Sequence, residues 1–255
     1  MYKNNFAKLL VLSTIEFKRV HGANAFALIW FLLRPLLFVS AIYMVVNMGV
    51  RGGDVKAIST YDYLRMLGAY SIWLLISETV SGSINRMKKS KVWMVNHSVP
   101  PLLIVFIPLG LVFVNYTVMY WGSVIGLITI DRASVQYLPI FISTFFVGIV
   151  HAWFYGVLTL MLTAIFKPAS NVIPTFLQFG FWFTPIIWVP NSSHLSELIA
   201  DFNPIYLLVS VFDNSSMVSN ALYVEVFLLV FISLISSAVL YFCTKDLAEN
   251  SLEIT

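Results

Sequence analysis

Residues whose types and spacing could support catalysis or metal binding are few in this chain. There is no GxxxxGKS/T motif and no Gly-Lys pair, so no P-loop for nucleotide phosphates is predicted. There is no HExxH motif, and the histidines lie in separate segments, which disfavours a metal site. The single cysteine, Cys243, excludes an internal disulfide and a CxxC metal site. We therefore predict a non-enzymatic chain with no catalytic residue, no metal and no cofactor of its own.

Two charged residues, Arg34 and Glu78, and one histidine, His151, lie inside long apolar stretches. Charged groups near the centre of a membrane are costly, and ion-coupled transporters use them as ion sites. Here Arg34 falls about two turns inside its stretch and Glu78 about one turn from the end of the next, depths at which the two can pair or extend to the interface. The alternative is direct contact with a substrate. His151 is expected to be a hydrogen-bonded packing residue.

Aromatic residues make up 16% of the chain. Tryptophan and tyrosine usually mark the two membrane interfaces. Rings that lie deeper could line a path for a sugar, because an aromatic ring packs against the apolar face of a pyranose. The alternative for each of them is packing between helices or against lipid. The deep aromatic residues are Trp73, Tyr116, Tyr120, Trp153 and Tyr155.

The overall composition indicates which elements must position these residues. Hydrophobic residues make up 59% of the 255 residues, charged residues make up 11%, and the mean hydropathy is +0.87. An average soluble domain is about 45–50% apolar and about 25% charged, so we predict a single all-α integral membrane domain over the whole chain. About 20 apolar residues cross a bilayer, which leaves room for six spans. They are predicted at Phe26–Met48, Leu64–Ser83, Leu102–Ile130, Leu138–Phe166, Val172–Val189 and Val224–Thr244.

The distribution of basic residues predicts the orientation of these spans. With the N-terminus inside, the cytoplasmic segments hold ten Lys and Arg residues and the external segments hold four. Cytoplasmic loops carry an excess of basic residues, so both termini are predicted to be cytoplasmic. Residues 1–25 are basic and partly amphipathic, which favours a helix along the cytoplasmic membrane surface; an ordinary basic tail is the alternative.

Small residues recur at helical spacing in two of the predicted spans. Gly122 and Gly126 form a pair in the third span, and Gly148, Ala152 and Gly156 share one stripe of the fourth. Small residues let neighbouring helices approach closely. A tight helical bundle is therefore expected.

The segment after the second span, Ile84–Val99, is predicted to be a cytoplasmic loop. It holds four basic residues, followed by Trp93 and Met94. These charges are either the ordinary signal for a cytoplasmic loop or part of a short helix that docks on a soluble partner, with Trp93 as its apolar anchor. The basic residues are Arg86, Lys88, Lys89 and Lys91.

The external region, residues 190–223, contains a second unusual segment. Asn203-Pro204 breaks the chain, and the apolar piece Ile205–Phe212 follows it. Eight residues are too few to cross a bilayer, yet this piece is too apolar for a solvated loop, so a re-entrant or interfacial piece is expected. A short amphipathic external helix is the alternative.

Taken in order, these features resemble the membrane subunit of an ABC-2 type ABC exporter, particularly the branch that exports O-antigen, capsule or teichoic acid. The resemblance covers nearly the whole chain. The motifs that support it are Leu28-Ile-Trp30 with Leu33-Arg-Pro35-Leu-Leu in the first span, the basic loop after the second, Phe183-Thr-Pro185-Ile-Ile-Trp188 at the end of the fifth, and Asn203-Pro204 before the sixth.

This resemblance implies a homodimer in a bacterial inner membrane, bound to two ATPase subunits that hold the ATP and magnesium. It also implies that the substrate, a lipid-linked polysaccharide with O-antigen first and capsule second, passes between the protomers. The residues expected to meet the lipid pyrophosphate are Arg34, Arg86, Lys88 and Lys89. Coupling to the ATPase would involve Lys91, Trp93 and Met94, and the external gate Pro185, Trp188, Asn203 and Pro204. A drug or lipid exporter of the same superfamily, or a secondary transporter, is the alternative.

Overall fold

A computed structural model of the chain describes residues 25–50, 59–97, 105–188, 202–203 and 205–213, with a few isolated positions at 11–18, 194–199 and 231. Within these residues every regular element is a helix and no strand occurs. We label the α-helices in chain order. They are α1 (Ala25–Val50), α2 (Thr60–His97), α3 (Phe106–Ile130), α4 (Leu138–Ile165), α5 (Ala169–Phe183) and α6 (Tyr206–Ser210), with a 3-10 helix, Arg132–Tyr137, between α3 and α4.

Three segments are long and apolar enough to cross a membrane: Ile29–Met48, Phe106–Ile130 and Arg132–Leu160. They coincide with the first, third and fourth predicted spans to within a few residues, apart from the 3-10 residues that precede α4. The prediction of an all-helical chain with membrane-length apolar helices is confirmed for the described residues. The sixth predicted span, Val224–Thr244, and the predicted surface helix of residues 1–25 lie almost entirely outside them.

The second predicted span and the loop after it are parts of one helix. The helix α2 begins next to Ser59, whose hydroxyl oxygen accepts from the amide of Asp62 at 3.3 Å, as an N-cap serine does. It then continues without interruption to His97. An irregular loop at Ile84–Val99 is therefore the wrong interpretation over most of its length, and the helical alternative for this segment fits the backbone up to His97. The segment Ile84–His97 has no glycine or proline, and its arginine, lysines and methionines are good helix formers.

The helix α2 lies at the centre of the bundle, although it is less apolar than the three membrane-length segments. Every residue from Met66 to Ile76 is buried, and α2 packs against all five other α-helices. Two of its buried serines bond within the helix: the Ser71 hydroxyl donates to the Gly68 carbonyl at 2.6 Å, and the Ser83 hydroxyl donates to the Thr79 carbonyl at 2.8 Å. The buried Thr79 hydroxyl has no hydrogen-bond partner among the described residues. Small hydroxyl residues bonded in this way let a helix be buried on all sides.

The helix α1 contains a proline whose effect is compensated by α3. Pro35 lies inside α1 and has no amide hydrogen to donate to the carbonyl of Phe31, four residues earlier. The side-chain amide of Asn115, buried in α3, donates to that carbonyl at 3.1 Å. A side chain from a neighbouring helix thus bonds the carbonyl that the proline cannot reach, which is how spanning helices tolerate proline.

The helix α5 is shorter than the fifth predicted span, Val172–Val189, and ends at Phe183. The cause is Pro185, because the residue before a proline is disfavoured in helical conformation. Thr184 accordingly has extended dihedrals. The 15 residues of α5 rise only about 22 Å, less than the ~30 Å of a bilayer core.

The apolar piece Ile205–Phe212 is buried in the bundle. Its central part is the short helix α6, and it contacts α2 and α4. The Phe212 ring is fully buried and packs against the rings of Tyr120 and Phe141. A methyl group at Gly68 would come within 2.2 Å of the Phe212 ring, so only glycine fits there. This burial fits the predicted re-entrant piece and not an exposed amphipathic helix.

The predicted small-residue stripes are partly confirmed. A methyl group at Gly148 would lie 2.8 Å from the Tyr116 hydroxyl, and one at Gly156 would lie 2.6 Å from Val105. Ala152, between them, is fully buried. In the other pair, Gly126 meets Leu64 in the same way, but Gly122 has open space around it. Of these predicted small residues, those of the α4 stripe and Gly126 therefore lie at close helix contacts, and Gly122 does not.

Candidate functional site

The five deep aromatic residues expected to line a substrate path lie in different surroundings. Tyr116 and Tyr120 of α3 are fully buried against α4. The Tyr116 hydroxyl donates to the Phe145 carbonyl at 3.0 Å, and the Tyr120 hydroxyl to the Phe141 carbonyl at 2.7 Å. The Tyr116 ring also stacks on that of Phe145, with centroids 4.9 Å apart. These contacts favour the alternative of packing between helices for both tyrosines.

Trp153 and Tyr155 of α4 are half-buried at a different place. Trp153 packs against Phe106 at the start of α3, and its buried indole nitrogen has no hydrogen-bond partner among the described residues. His151 is buried and bonds through Nδ1 to the Val147 carbonyl of its own helix at 3.0 Å, which fits the predicted packing role. The ring of Tyr155 lies near that of His151.

Trp73 belongs to a separate aromatic cluster where α1, α2 and α5 meet. Phe181 of α5 contacts Trp73 and Tyr70 of α2, with ring centroids 6.2 Å and 6.0 Å away. Phe38 of α1 contacts both Phe181 and Tyr70. Gly180 lets α5 come close, because a methyl group there would lie 3.0 Å from the Trp73 ring. We call Phe38, Tyr70, Trp73 and Phe181 the aromatic cluster.

The helix α5 is held by one stripe and exposes the rest of its surface. Ile173, Leu177 and Phe181, four residues apart, pack on the core. The two stripes that follow at helical spacing are both exposed. The first is polar and ends on a tryptophan: Asn171, Thr175, Gln178 and Trp182. The second, one residue further on at each position, is apolar: Val172, Phe176, Phe179 and Phe183.

The polar stripe of α5 is the feature that sequence analysis missed. At the depth of the hydrocarbon core, side chains that face lipid are mostly apolar, whereas polar ones face another helix or a water-filled cavity. Residues three or four apart are neighbours on a helix, so Gln178 lies beside Phe181 and the stripe borders the aromatic cluster. In the sequence, Asn171, Thr175 and Gln178 are spaced three or four residues apart, as on one face of a helix. The depth of a residue within a predicted span does not indicate on which face of the helix it lies.

Arg34 lies one turn before Phe38 of this cluster on α1, and Glu78 lies on α2 beyond Trp73. Both side chains are exposed. No salt bridge joins either of them to another described residue, so pairing within one chain, one of the two predicted alternatives, is not formed among these residues. A charged residue at the centre of a spanning helix costs ~3 kcal/mol when it is unpaired. Arg34 is the only charged residue of the segment Ile29–Met48.

The remaining basic and coupling residues lie on the last turns of α2. The backbone there is helical, but the side chains lie outside the described part of the structure, so their roles in headgroup contact and coupling stay predictions. These residues are Arg86, Lys88, Lys89, Lys91, Trp93 and Met94.

The predicted gate residues meet at the end of α5. The last four carbonyl groups of a helix lack an intrahelical partner, and here each of them accepts a bond. The Thr184 amide donates to the carbonyls of Gly180 and Phe181 at 2.9 Å and 3.3 Å. The indole of Trp188 donates to Trp182, and the side-chain amide of Asn203 donates to Phe183, at 3.0 Å and 3.2 Å.

Asn203 also joins the end of α5 to the buried segment. Its amide nitrogen donates to the Thr184 hydroxyl at 3.0 Å, and its oxygen accepts from the Ile205 amide at 2.9 Å. Pro185 is buried beside these groups, while Pro204 lies outside the described residues. The structure therefore brings Pro185, Trp188 and Asn203 together as the cap of α5, although they are up to 18 positions apart.

No family model matches the chain, and no curated protein is similar to it. The resemblance to ABC-2 exporter subunits therefore rests on the quoted motifs and their spacing. Among the described residues, no group of three or more His, Cys, Asp or Glu side chains could hold a metal ion. In the described part of the chain, the polar stripe of α5 presents amide, hydroxyl and indole groups on an exposed surface.

Proposed function

We propose that the chain is the membrane subunit of an ATP-driven ABC-2 type exporter of lipid-linked polysaccharide, O-antigen first and capsule second. In this proposal two copies of the chain, each with six spans, form a homodimer in a bacterial inner membrane, with both termini cytoplasmic. Two partner ATPase subunits hydrolyse ATP. The chain itself performs no reaction and forms one half of the path.

The observation that carries the proposal is the exposed double stripe of α5. A glycan needs both hydrogen-bonding groups for its hydroxyls and flat apolar surfaces for its ring faces. The stripe of Asn171, Thr175, Gln178 and Trp182 presents both at successive turns. The apolar stripe beside it is suited to lipid or to an apolar surface of a second copy. A path wall of this composition binds each sugar weakly and repeatedly, so that a long chain can slide along it.

The cap at the end of α5 supports the same proposal. Because Asn203 bonds both to α5 and to the segment that leads into α6, a displacement of α5 is transmitted to residues 203–213. In the proposed mechanism ATP binding moves α2 through its basic end, and α5 follows through its contacts with α2. The external end of the path then opens at Pro185, Trp188, Asn203 and Pro204.

Co-expression with candidate ABC ATPase subunits from the same genome tests the proposal. We expect the two proteins to purify as one complex, whose ATP hydrolysis increases with lipid-linked glycan, the probe. Gln178→Leu should lower glycan export severalfold, whereas the matched control Phe179→Leu, on the apolar stripe, should leave export close to the wild-type level. A drug instead of a glycan stimulating hydrolysis would favour the drug exporter. Transport by the chain alone down an ion gradient would refute the proposal.

A further inference from the structure

Two exposed charges of opposite sign, Arg34 and Glu78, form no salt bridge with the residues that the structure describes. Both lie on helices inside the bundle. Around Arg34 the exposed surface of α1 is apolar and includes Trp30, Leu33 and Leu37. Such a surface fits lipid or another protein. A charge in its middle requires a counter-charge or an extension to the interface.

The levels of the two residues along the bundle are compatible with one salt bridge between helices. The Ser40 and Tyr63 hydroxyls lie 3.1 Å apart, and the Phe38 and Tyr70 rings are in contact, so α1 and α2 run antiparallel. With this register, Arg34 lies at the same height along the bundle as the turn of α2 that begins at Tyr70. Glu78 lies one to two turns further along α2, roughly 6–12 Å.

The direction of the side chains shortens that separation. Side chains on a helix lean toward its N-terminus. Because the helices are antiparallel, Arg34 leans toward the level of Glu78, and Glu78 leans toward the level of Arg34. Arg34 of one copy can therefore reach Glu78 of another copy if the two copies lie side by side without a shift along the helix axes. Within one chain the two side chains do not form a salt bridge.

We propose that Arg34 of one copy forms a salt bridge with Glu78 of a second copy of this chain. Rotation about a two-fold axis parallel to the helices keeps every residue at its level, and each contact then occurs twice. The two bridges neutralise all four charges, and the apolar surface of α1 is covered by the other protomer. The inference rests on the homodimer of the proposed function and names the contact that specifies it.

A charge-reversal experiment with two tagged copies tests this pair. A copy with Arg34→Glu has two acidic residues at the contact, and a copy with Glu78→Arg has two basic ones. Each variant repels itself, but the two together form both bridges. When they are co-expressed, we expect the mixed dimer to exceed either homodimer by about tenfold or more, since opposed like charges cost several kcal/mol. The matched control is Lys167→Glu with Asp131→Arg, exposed charges outside this surface, which should give a statistical mixture.

The outcomes separate the competing arrangements. A statistical mixture for the Arg34 and Glu78 variants would overturn the proposal. The double variant Arg34→Glu/Glu78→Arg gives a second comparison. If it recovers the homodimer while the two single variants show no preference for the mixed dimer, Arg34 and Glu78 pair within one chain, and the proposal is overturned. The variants could also form dimers as the wild type does and yet lose binding to vesicles with anionic lipid. That result would overturn the proposal and assign Arg34 to lipid headgroups.

A second measurement does not depend on the stability of the reversed charges. Two tagged copies, one with Arg34→Cys and one with Glu78→Cys, are prepared in a Cys243→Ser background and treated with a short bifunctional thiol reagent. We expect a covalent mixed dimer, and its absence would refute the pair. If the pair is found but no ATPase associates with the dimer, the proposed function fails while the inferred contact stands.

Discussion

Replacing Asn115 with leucine should destabilise the protein only while Pro35 is present. The Asn115 amide donates at 3.1 Å to the Phe31 carbonyl, which the proline at position 35 cannot bond. In Pro35→Ala, the new amide at position 35 can donate to that carbonyl within α1. Asn115→Leu should therefore cost less free energy of unfolding in the Pro35→Ala background than in the wild type.

The expected coupling is about 1 kcal/mol. Hydrogen bonds between spanning helices contribute about 0.6 kcal/mol on average and at most about 1.7 kcal/mol, and this bond is buried and replaces a missing helical bond. Asn115 Oδ1 is buried and has no hydrogen-bond partner among the described residues. Leucine therefore also removes the free-energy cost of burying this unpaired oxygen. This gain occurs in both backgrounds and cancels in the coupling term.

The measurement is a double-mutant cycle on the detergent-solubilised protein, with reversible unfolding followed by tryptophan fluorescence. A matched control is Asn47→Leu, since Asn47 donates to the Tyr43 carbonyl of its own helix at 2.8 Å, away from the proline. That variant should lose the same free energy with and without Pro35. Equal losses for Asn115→Leu in the two backgrounds would refute the compensation of the proline by α3.

Three further substitutions test the packing and the cap. Gly68→Ala should destabilise the fold by driving a methyl group into the Phe212 ring, and Phe212→Leu should restore part of the melting temperature in the double variant; failure of rescue would contradict this contact. Tyr120→Phe should cost about 1 kcal/mol in free energy of unfolding by removing the bond to Phe141, and no measurable loss would contradict it. Asn203→Ala should expose the end of α5 and raise the rate of limited proteolysis there, and an unchanged rate would argue against the cap.

The apolar helices could be predicted from the sequence because their signal is strong. In α1, α3 and α4, long apolar runs fix the element type, and the predicted bounds differ from the observed ones by at most four residues. The extension of α2 to His97 was not predicted, because hydropathy reports on burial and not on backbone conformation. The absence of glycine and proline over Ile84–His97, and its good helix formers, were the better indicators.

The end of α5 shows a different limit of sequence reasoning. The motifs around Pro185, Trp188 and Asn203 predict one gate, but the sequence does not indicate what these residues bond. The side chains of Trp188 and Asn203 donate hydrogen bonds to carbonyl groups in the last turn of α5. These carbonyl groups lack helical partners because Pro185 ends the helix. A helix that must stop inside an apolar environment requires such partners nearby, so a proline at that position implies donors elsewhere in the chain. Asn203 is such a donor, 18 residues away.

The aromatic residues show why depth alone is insufficient to assign a function in a membrane helix. Tyr116 and Tyr120 lie deep and are polar, yet their hydroxyls are bonded to carbonyls of α4, because a buried phenol needs a partner wherever it packs. They are therefore part of the packing between α3 and α4. Asn171, Thr175 and Gln178 are exposed on one stripe of α5. The Thr175 hydroxyl donates to the Asn171 carbonyl at 3.3 Å, whereas the side-chain amides of Asn171 and Gln178 form no hydrogen bond with a described residue. Polar groups that the fold has not bonded to itself are the ones available to a ligand, and for that reason the proposed function places the path along α5.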